Sequence, residues 1–257
     1  MGDWSAFPHA GAFHFDAAGV LQCWTRLHAG DAEPPPSDPA VLQAWVLFHN
    51  GDFAQACAAG LAAGGKGMTV ANKATAIYAN YLEPSEKERL DLFRLVATRA
   101  EQQAQATPDD PNAWYWHAYA LGRYSQGISI AKALAQGLGT KVKESLEKVI
   151  ALSPRHADAH LALGTFHAEV IDKVGALIGS MTYGAKKEVG LRMFRQGLEL
   201  HPASVIGMVE YAHALLMLEG DSRMDEANRL YERAAAAEPQ DATERLDVDV
   251  AQAALAD

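Results

Sequence analysis

Apolar residues recur along this chain at helical spacing, and a proline closes three of these amphipathic stretches. One face of the stretch before Pro154 carries Val142, Leu146, Val149 and Ile150. Pro108 and Pro202 close similar stretches, and a new amphipathic stretch begins a few residues after each proline. Small residues on the contact faces of the following stretches, such as Gly164 and Ala212, allow close packing. The pattern predicts an all-α chain of stacked helical hairpins.

The same signals divide the chain into an N-terminal extension, residues 1–39, and a helical repeat domain, residues 40–257. The extension contains one predicted helix from Asp16 to His28 and a proline-rich linker that cannot continue a helix. Five hairpins follow, and a last helix closes the array. The predicted helices are residues 40–50 and 53–63, 68–82 and 86–106, 111–124 and one ending at 154, one from 158 and one from 186, 204–218 and 224–237, and 242–256.

The repeat spacing varies along the chain. Pro108 and Pro154 are 46 residues apart, Pro154 and Pro202 are 48 apart, and Pro202 and Pro239 are 37 apart. The last spacing is near the period of about 34 residues that is typical of tetratricopeptide repeats. The middle two repeats therefore carry insertions between their helices, at residues 127–140 and 170–184.

Several short motifs carry a resemblance to tetratricopeptide-repeat (TPR) proteins. They are Ala113-Trp114-Tyr115, Leu163-Gly164, Gly51-Asp52-Phe53 with Ala56, and Ala227, Tyr231 and Ala234 ahead of Pro239. The long middle repeats resemble two branches, the regulator of microtubule dynamics family and the T component of some tripartite (TRAP) transporters. The resemblance implies a TPR-like α-solenoid of about five hairpins, used for binding, and neither branch implies a catalytic motif.

Composition limits the partners and the location. The chain has 22 basic and 32 acidic residues and a net charge of −10, which opposes binding to nucleic acid phosphates. The charge is most negative from residue 219 onward, which is either a solvated end or a docking surface for a basic partner. Cys23 and Cys57 form no metal or redox motif, and no apolar stretch is long enough for a signal peptide or a membrane span. We therefore expect a cytoplasmic protein.

The inner face of the predicted solenoid is the leading candidate for a binding site, because the first helices of the repeats line a concave groove. Counting outward from the packing residues places mixed polar and aromatic side chains on that face. They are Asn112, Tyr115, Tyr119, Arg123, Asp158, Thr165, Glu169 and His213. This lining predicts a non-catalytic scaffold that binds a protein or peptide, the alternative being a solvated groove with no partner.

The two insertions are more apolar than loops between helices. Their apolar residues include Ile128, Ile130, Leu134, Val174, Leu177, Ile178 and Met181. Three interpretations remain open: padding of the core by longer helices, a pocket that carries an apolar small molecule, and a contact between copies in a homo-oligomer.

The sequence contains no catalytic motif, so we predict no enzyme activity, no cofactor and no metal. His156, His160 and His167 have a spacing that zinc can use on one helix face. His160 and His167 fall at packing positions, however, so burial against a neighbouring helix is the preferred interpretation. His156 is expected to be solvated at the entrance of the helix.

Overall fold

The computed structural model describes residues 4–256, which form fourteen α-helices, one 3-10 turn and no β-strand. The all-α prediction is therefore confirmed. The described part of the chain contains no helix with the length and apolarity needed to cross a bilayer.

The helices belong to two compact units. Unit 1 contains residues 4–28, Glu33–Ser129 and Gln240–Thr243, and unit 2 contains Ala29–Ala32, Ile130–Pro239 and residues 244–256. The predicted division at residue 39 remains a prediction.

Two helical hairpins and one further helix form the body of unit 1, and a short helix precedes them. The helices are α1 (Ala17–Leu27), α2 (Pro39–His49), α3 (Phe53–Ala63), α4 (Gly67–Tyr81), α5 (Glu86–Ala106) and α6 (Pro111–Gln126). Helices α2 and α3 pack as a hairpin, α4 and α5 form the next, and α6 packs on both α4 and α5. Trp45, Phe48 and Tyr78 are buried in its core.

Helices α3 and α4 cross with their backbones in contact. A Cβ atom added to Gly60 would lie 2.5 Å from the Gly67 carbonyl oxygen and 2.9 Å from the Ala71 nitrogen. Only glycine fits there, because a larger residue would separate the two helices.

Unit 2 contains the longer repeats. Its helices are α7 (Ile130–Ala135), α8 (Leu138–Leu152), α9 (Ala157–Val174), α10 (Ala176–Tyr183), α11 (Lys187–Leu200), α12 (Val205–Glu219), α13 (Met224–Ala235) and all but the first two residues of α14 (Ala242–Ala256), with the 3-10 turn at Gly220–Arg223. Helix α9 packs against α8, α11 and α12, and α12 packs against α13. Phe194 is fully buried in the core, to which α14 contributes Val248 and Ala251.

Local signals position the helix ends. Helices α5, α8 and α11 end two residues before Pro108, Pro154 and Pro202. Acceptors from Asp38, Ser85, Asp110 and Ser204 cap α2, α5, α6 and α12. Each insertion contains a short helix of its own, α7 or α10, which the sequence pattern did not predict.

Candidate functional site

Four of the predicted groove residues lie on helix α6, which belongs to unit 1. Asn112 and Tyr115 are buried, so they differ from the exposed groove residues that the sequence analysis expects. Tyr119 and Arg123 are partly exposed one and two turns further along, and the Arg123 guanidinium lies 5.4 Å from the centre of the Tyr119 ring. The accessible part of this face is therefore its second half.

A segment of the same chain covers the first half of that face. The Asn112 side chain donates a 2.6 Å hydrogen bond to the buried Glu33 carboxylate, and Trp24 Nε1 donates to the Glu33 main-chain oxygen at 2.7 Å. Glu33 begins the proline-rich segment, which the sequence assigns to a separate linker. The sequence offers no signal for this contact, since the residues are 79 positions apart.

An aromatic cluster lies on α2 and its neighbours in unit 1, and the sequence analysis missed it. The Lys73 ammonium group lies 5.4, 5.2 and 6.0 Å from the ring centres of Trp45, Phe48 and Trp116. His49 is fully buried on the same helix as Trp45, and its Nδ1 atom donates to the Asp241 carboxylate at 2.7 Å. The His49–Asp241 hydrogen bond joins residues 240–243 to helix α2 within unit 1.

Helices α9 and α12 of unit 2 bring together three other predicted groove residues. Thr165 Oγ1 donates to Glu210 Oε2 at 3.3 Å, which joins the two neighbouring helices. Glu169 lies one turn beyond Thr165 and accepts from Lys173 at 2.9 Å, and His213 is exposed on α12 near Glu210. We name Thr165, Glu169, Glu210 and His213 the α9–α12 face. It combines two carboxylates with a hydroxyl and an imidazole, a set that can bind cationic and hydrogen-bonding groups.

Asp158, at the start of α9, is half-buried against the chain's own backbone. Its main-chain nitrogen donates to the Gly30 carbonyl at 3.0 Å, and its carboxylate occupies the space where a side chain at residue 30 would begin. The α9–α12 face therefore starts about two turns further along the helix than the sequence predicts.

The three histidines of α9 are buried, and the expectation that His156 is solvated is wrong. His156 Nδ1 accepts from the Ala159 nitrogen at 3.1 Å, so this histidine caps the helix. His160 hydrogen-bonds the Pro154 carbonyl at 3.0 Å, and His167 Nδ1 accepts from the main-chain nitrogen of Lys186 at 3.2 Å. Within residues 4–256, no three His, Cys, Asp or Glu side chains are grouped to hold a metal ion.

His167 gives unit 2 a defined pH dependence. Burial, with a smaller effect of the Lys143 charge, lowers the pKa of His167 from 6.5 to about 4. The unfolded chain binds this proton first, so the free energy of unfolding decreases as the pH falls from about 6.5 to about 4. Urea unfolding of His167→Gln at several pH values should show a flatter dependence than the parent. His14→Gln is the control, because His14 is exposed; an identical change in both variants would contradict the assignment.

The apolar insertion residues are placed at the surface. Ile128 and Val174 are half-buried, whereas Ile130, Leu134, Leu177, Ile178 and Met181 are exposed. Padding of the core is therefore wrong for these five side chains, and their exposure also disfavours an enclosed pocket for an apolar ligand.

An open cleft between α11, α12 and α13 was not foreseen from the sequence. Its lining residues are Arg195, Leu198, Glu199, Tyr211, Glu226, Arg229, Leu230 and Arg233. Burial raises the pKa of Tyr211. The lining charges are mixed and belong to long side chains, so the cleft selects no single class of ligand.

Comparisons with known proteins agree with this architecture. The family model described as regulator of microtubule dynamics protein 1-3 matches residues 67–246, which is the first of the two branches that the sequence resembles. A crystal structure of a thermophilic TPR protein from Thermus thermophilus has a similar fold, with a TM-score of 0.58. The two chains are 16% identical, and the match covers 83% of this chain and 97% of that chain. No curated protein matches this chain in sequence.

Proposed function

This chain belongs to the regulator of microtubule dynamics protein 1-3 family, and from that membership we propose that it is a non-catalytic scaffold whose α9–α12 face binds a protein or peptide segment. The observation that carries the proposal is the Thr165–Glu210 hydrogen bond, since it joins polar side chains of adjacent helices into one surface. The TPR-like fold supports a role in protein interaction in general, because such arrays present extended surfaces to partners.

The chemistry of the α9–α12 face favours a basic segment. Glu169 and Glu210 are only partly buried, and their carboxylates can accept from lysine or arginine side chains of a partner. Thr165 and His213 add hydrogen-bonding groups beside them. A negative chain, with a net charge of −10, would also attract a basic partner over longer distances.

The family description refers to microtubule dynamics, and the charge of this chain bears on how such a role would operate. Like charges disfavour direct association of a chain of net charge −10 with the acidic surface of a microtubule. We propose that any such effect runs through the bound protein partner. The cytoplasmic location that the sequence predicts remains a prediction.

A random peptide library displayed on phage provides the test. Selection on the full chain should enrich peptides that contain lysine and arginine, and fluorescence anisotropy should give their affinities. Glu169→Gln/Glu210→Gln should weaken the selected peptides by about tenfold or more, because truncating a charged pair at an interface costs on the order of 2 kcal/mol.

The matched control is Glu188→Gln, which removes an exposed carboxylate from α11 of the same unit. It should leave the affinities unchanged. Tyr119→Ala, measured with the same peptides, tests whether the partly exposed end of helix α6 also contributes to binding. Failure to enrich any sequence, or equal binding by the parent and Glu169→Gln/Glu210→Gln, would overturn the proposed site.

A further inference from the structure

Helix α10 presents its apolar side chains to solvent. Leu177, Ile178 and Met181 are 75%, 58% and 80% exposed, whereas the other exposed large apolar residues in the described part of the chain reach at most 46%. The three side chains recur at one-residue and three-residue steps, so they share one face of the helix. Apolar faces as exposed as this one mark surfaces that contact a partner or a membrane.

The opposite side of α10 is anchored to unit 2. Gly179 is buried against Val170, and the Tyr183 ring lies against Gly139 and 6.4 Å from the Phe166 ring centre. Glycines with positive φ angles, Gly175 at 81° and Gly184 at 67°, turn the chain into and out of the helix. The packing therefore holds α10 as a fixed projection with its apolar face outward.

Helix α7 lies near α10, because both contact the start of α8. It packs on α8, and the first residues of α8 contact the end of α10 through Gly139 and Tyr183. Ile130 and Leu134 are 45% and 46% exposed and lie one turn apart. We name the exposed faces of α7 and α10, with the lysines described next, the insertion patch.

Lysines are concentrated in the segments that carry these apolar faces, and the acidic residues Glu144, Asp172 and Glu188 adjoin the ends of the segments. Residues 127–143 and 173–187 together contain six lysines and no acidic residue, although the chain has a net charge of −10. The lysines are Lys132, Lys141, Lys143, Lys173, Lys186 and Lys187. Three of them pair with carboxylates outside these segments, Lys143 with Glu147, Lys173 with Glu169 and Lys187 with Glu219. Lys132, Lys141 and Lys186 are exposed.

We propose that the insertion patch docks on an anionic lipid bilayer. The α10 side chains would enter the boundary between headgroups and acyl chains, and the lysines would contact lipid phosphates and carboxylates. Exposed apolar side chains beside lysines match a bilayer, because its anionic headgroups attract lysines and its hydrocarbon region accepts apolar side chains. A second copy of the chain is a poorer occupant, because its own lysines would repel these and three side chains bury far less than a stable dimer requires.

Vesicle sedimentation of the full chain tests this proposal. Vesicles of phosphatidylcholine with about one third phosphatidylserine should bind the chain at least about tenfold more strongly than phosphatidylcholine alone, since each lysine near an anionic surface contributes about fivefold. Leu177→Ser/Ile178→Ser/Met181→Ser should lower binding to the anionic vesicles by about tenfold or more. All three residues are exposed, so the fold should be retained, which circular dichroism would verify.

The controls separate the patch from general surface effects. Leu95→Ser removes an apolar side chain that is 43% exposed on α5, and it should leave vesicle binding unchanged. Lys141→Gln/Lys186→Gln should weaken binding to the anionic vesicles and make that binding less sensitive to salt concentration, whereas Lys87→Gln on α5 should change neither.

Three outcomes would overturn the proposal. They are no binding to anionic vesicles, equal binding by parent and α10 variant, and a concentration-dependent dimer that the α10 substitutions abolish without vesicle binding. The last result would assign the patch to contact between copies. None of these outcomes depends on the α9–α12 face, so peptide binding there is tested separately.

Discussion

Gly60→Ala will lower the free energy of unfolding by about 2 kcal/mol, whereas Gly122→Ala will raise it by about 0.5–1 kcal/mol. Both glycines lie in helices of unit 1, and alanine is the better helix former at an unconstrained position. The two substitutions are chemically identical, so the opposite signs isolate the effect of packing.

The difference arises from what the new methyl group would contact. At Gly60 it would lie 2.5 Å from the Gly67 carbonyl oxygen and 2.9 Å from the Ala71 nitrogen, both of which are backbone atoms of α4. Backbone atoms of a packed helix cannot move independently, so α3 and α4 would have to separate along their length. At Gly122, within residues 4–256, no atom beyond the glycine's chain neighbours and the adjacent backbone of its own helix lies within 4 Å of the added carbon.

Urea unfolding monitored by far-ultraviolet circular dichroism measures both effects. A Gly60→Ala variant as stable as Gly122→Ala would mean that α3 and α4 do not cross at this distance. Gly67→Ala gives an independent check, since its methyl group would meet the same crossing from the other helix.

The helices could be predicted because their ends depend on local signals. The predicted ranges for α3, α5 and α14 coincide with the observed ones, as prolines, caps and apolar periodicity act over a few residues. The short helices α7 and α10 were not predicted, because glycines interrupt the apolar periodicity of the insertions. Their exposure depends on what packs around them, and the periodicity of a sequence does not report that.

The candidate site was only partly predictable for the same reason. Helical spacing groups Thr165 and Glu169 on one face of α9, and it places Asn112 and Asp158 on inner faces that other segments could cover. Glu33 covers Asn112, and Gly30 covers Asp158. These contacts link positions far apart in sequence, so a single sequence without aligned relatives contains no signal for them.

The His49–Asp241 pair is another such contact, and it carries the second large prediction. Asp241→Ala will lower the free energy of unfolding by about 3 kcal/mol, since removal of one partner leaves the other buried without its hydrogen bond. His49 is fully buried among aromatic rings, and among residues 4–256 its Nε2 atom has no hydrogen-bond partner. Asp249→Ala breaks a partly exposed ion pair with Arg245 within helix α14. It should lower the free energy of unfolding by less than about 1 kcal/mol.

A double-mutant cycle distinguishes the loss of this pair from a general loss of packing. His49→Phe keeps an aromatic ring in the cluster, and its combination with Asp241→Ala should cost less than the sum of the two single substitutions, because the imidazole that would lose its hydrogen bond is then absent. Urea unfolding of the four proteins supplies the coupling energy. Strictly additive effects would show that the 2.7 Å contact between His49 and Asp241 contributes no energy of its own.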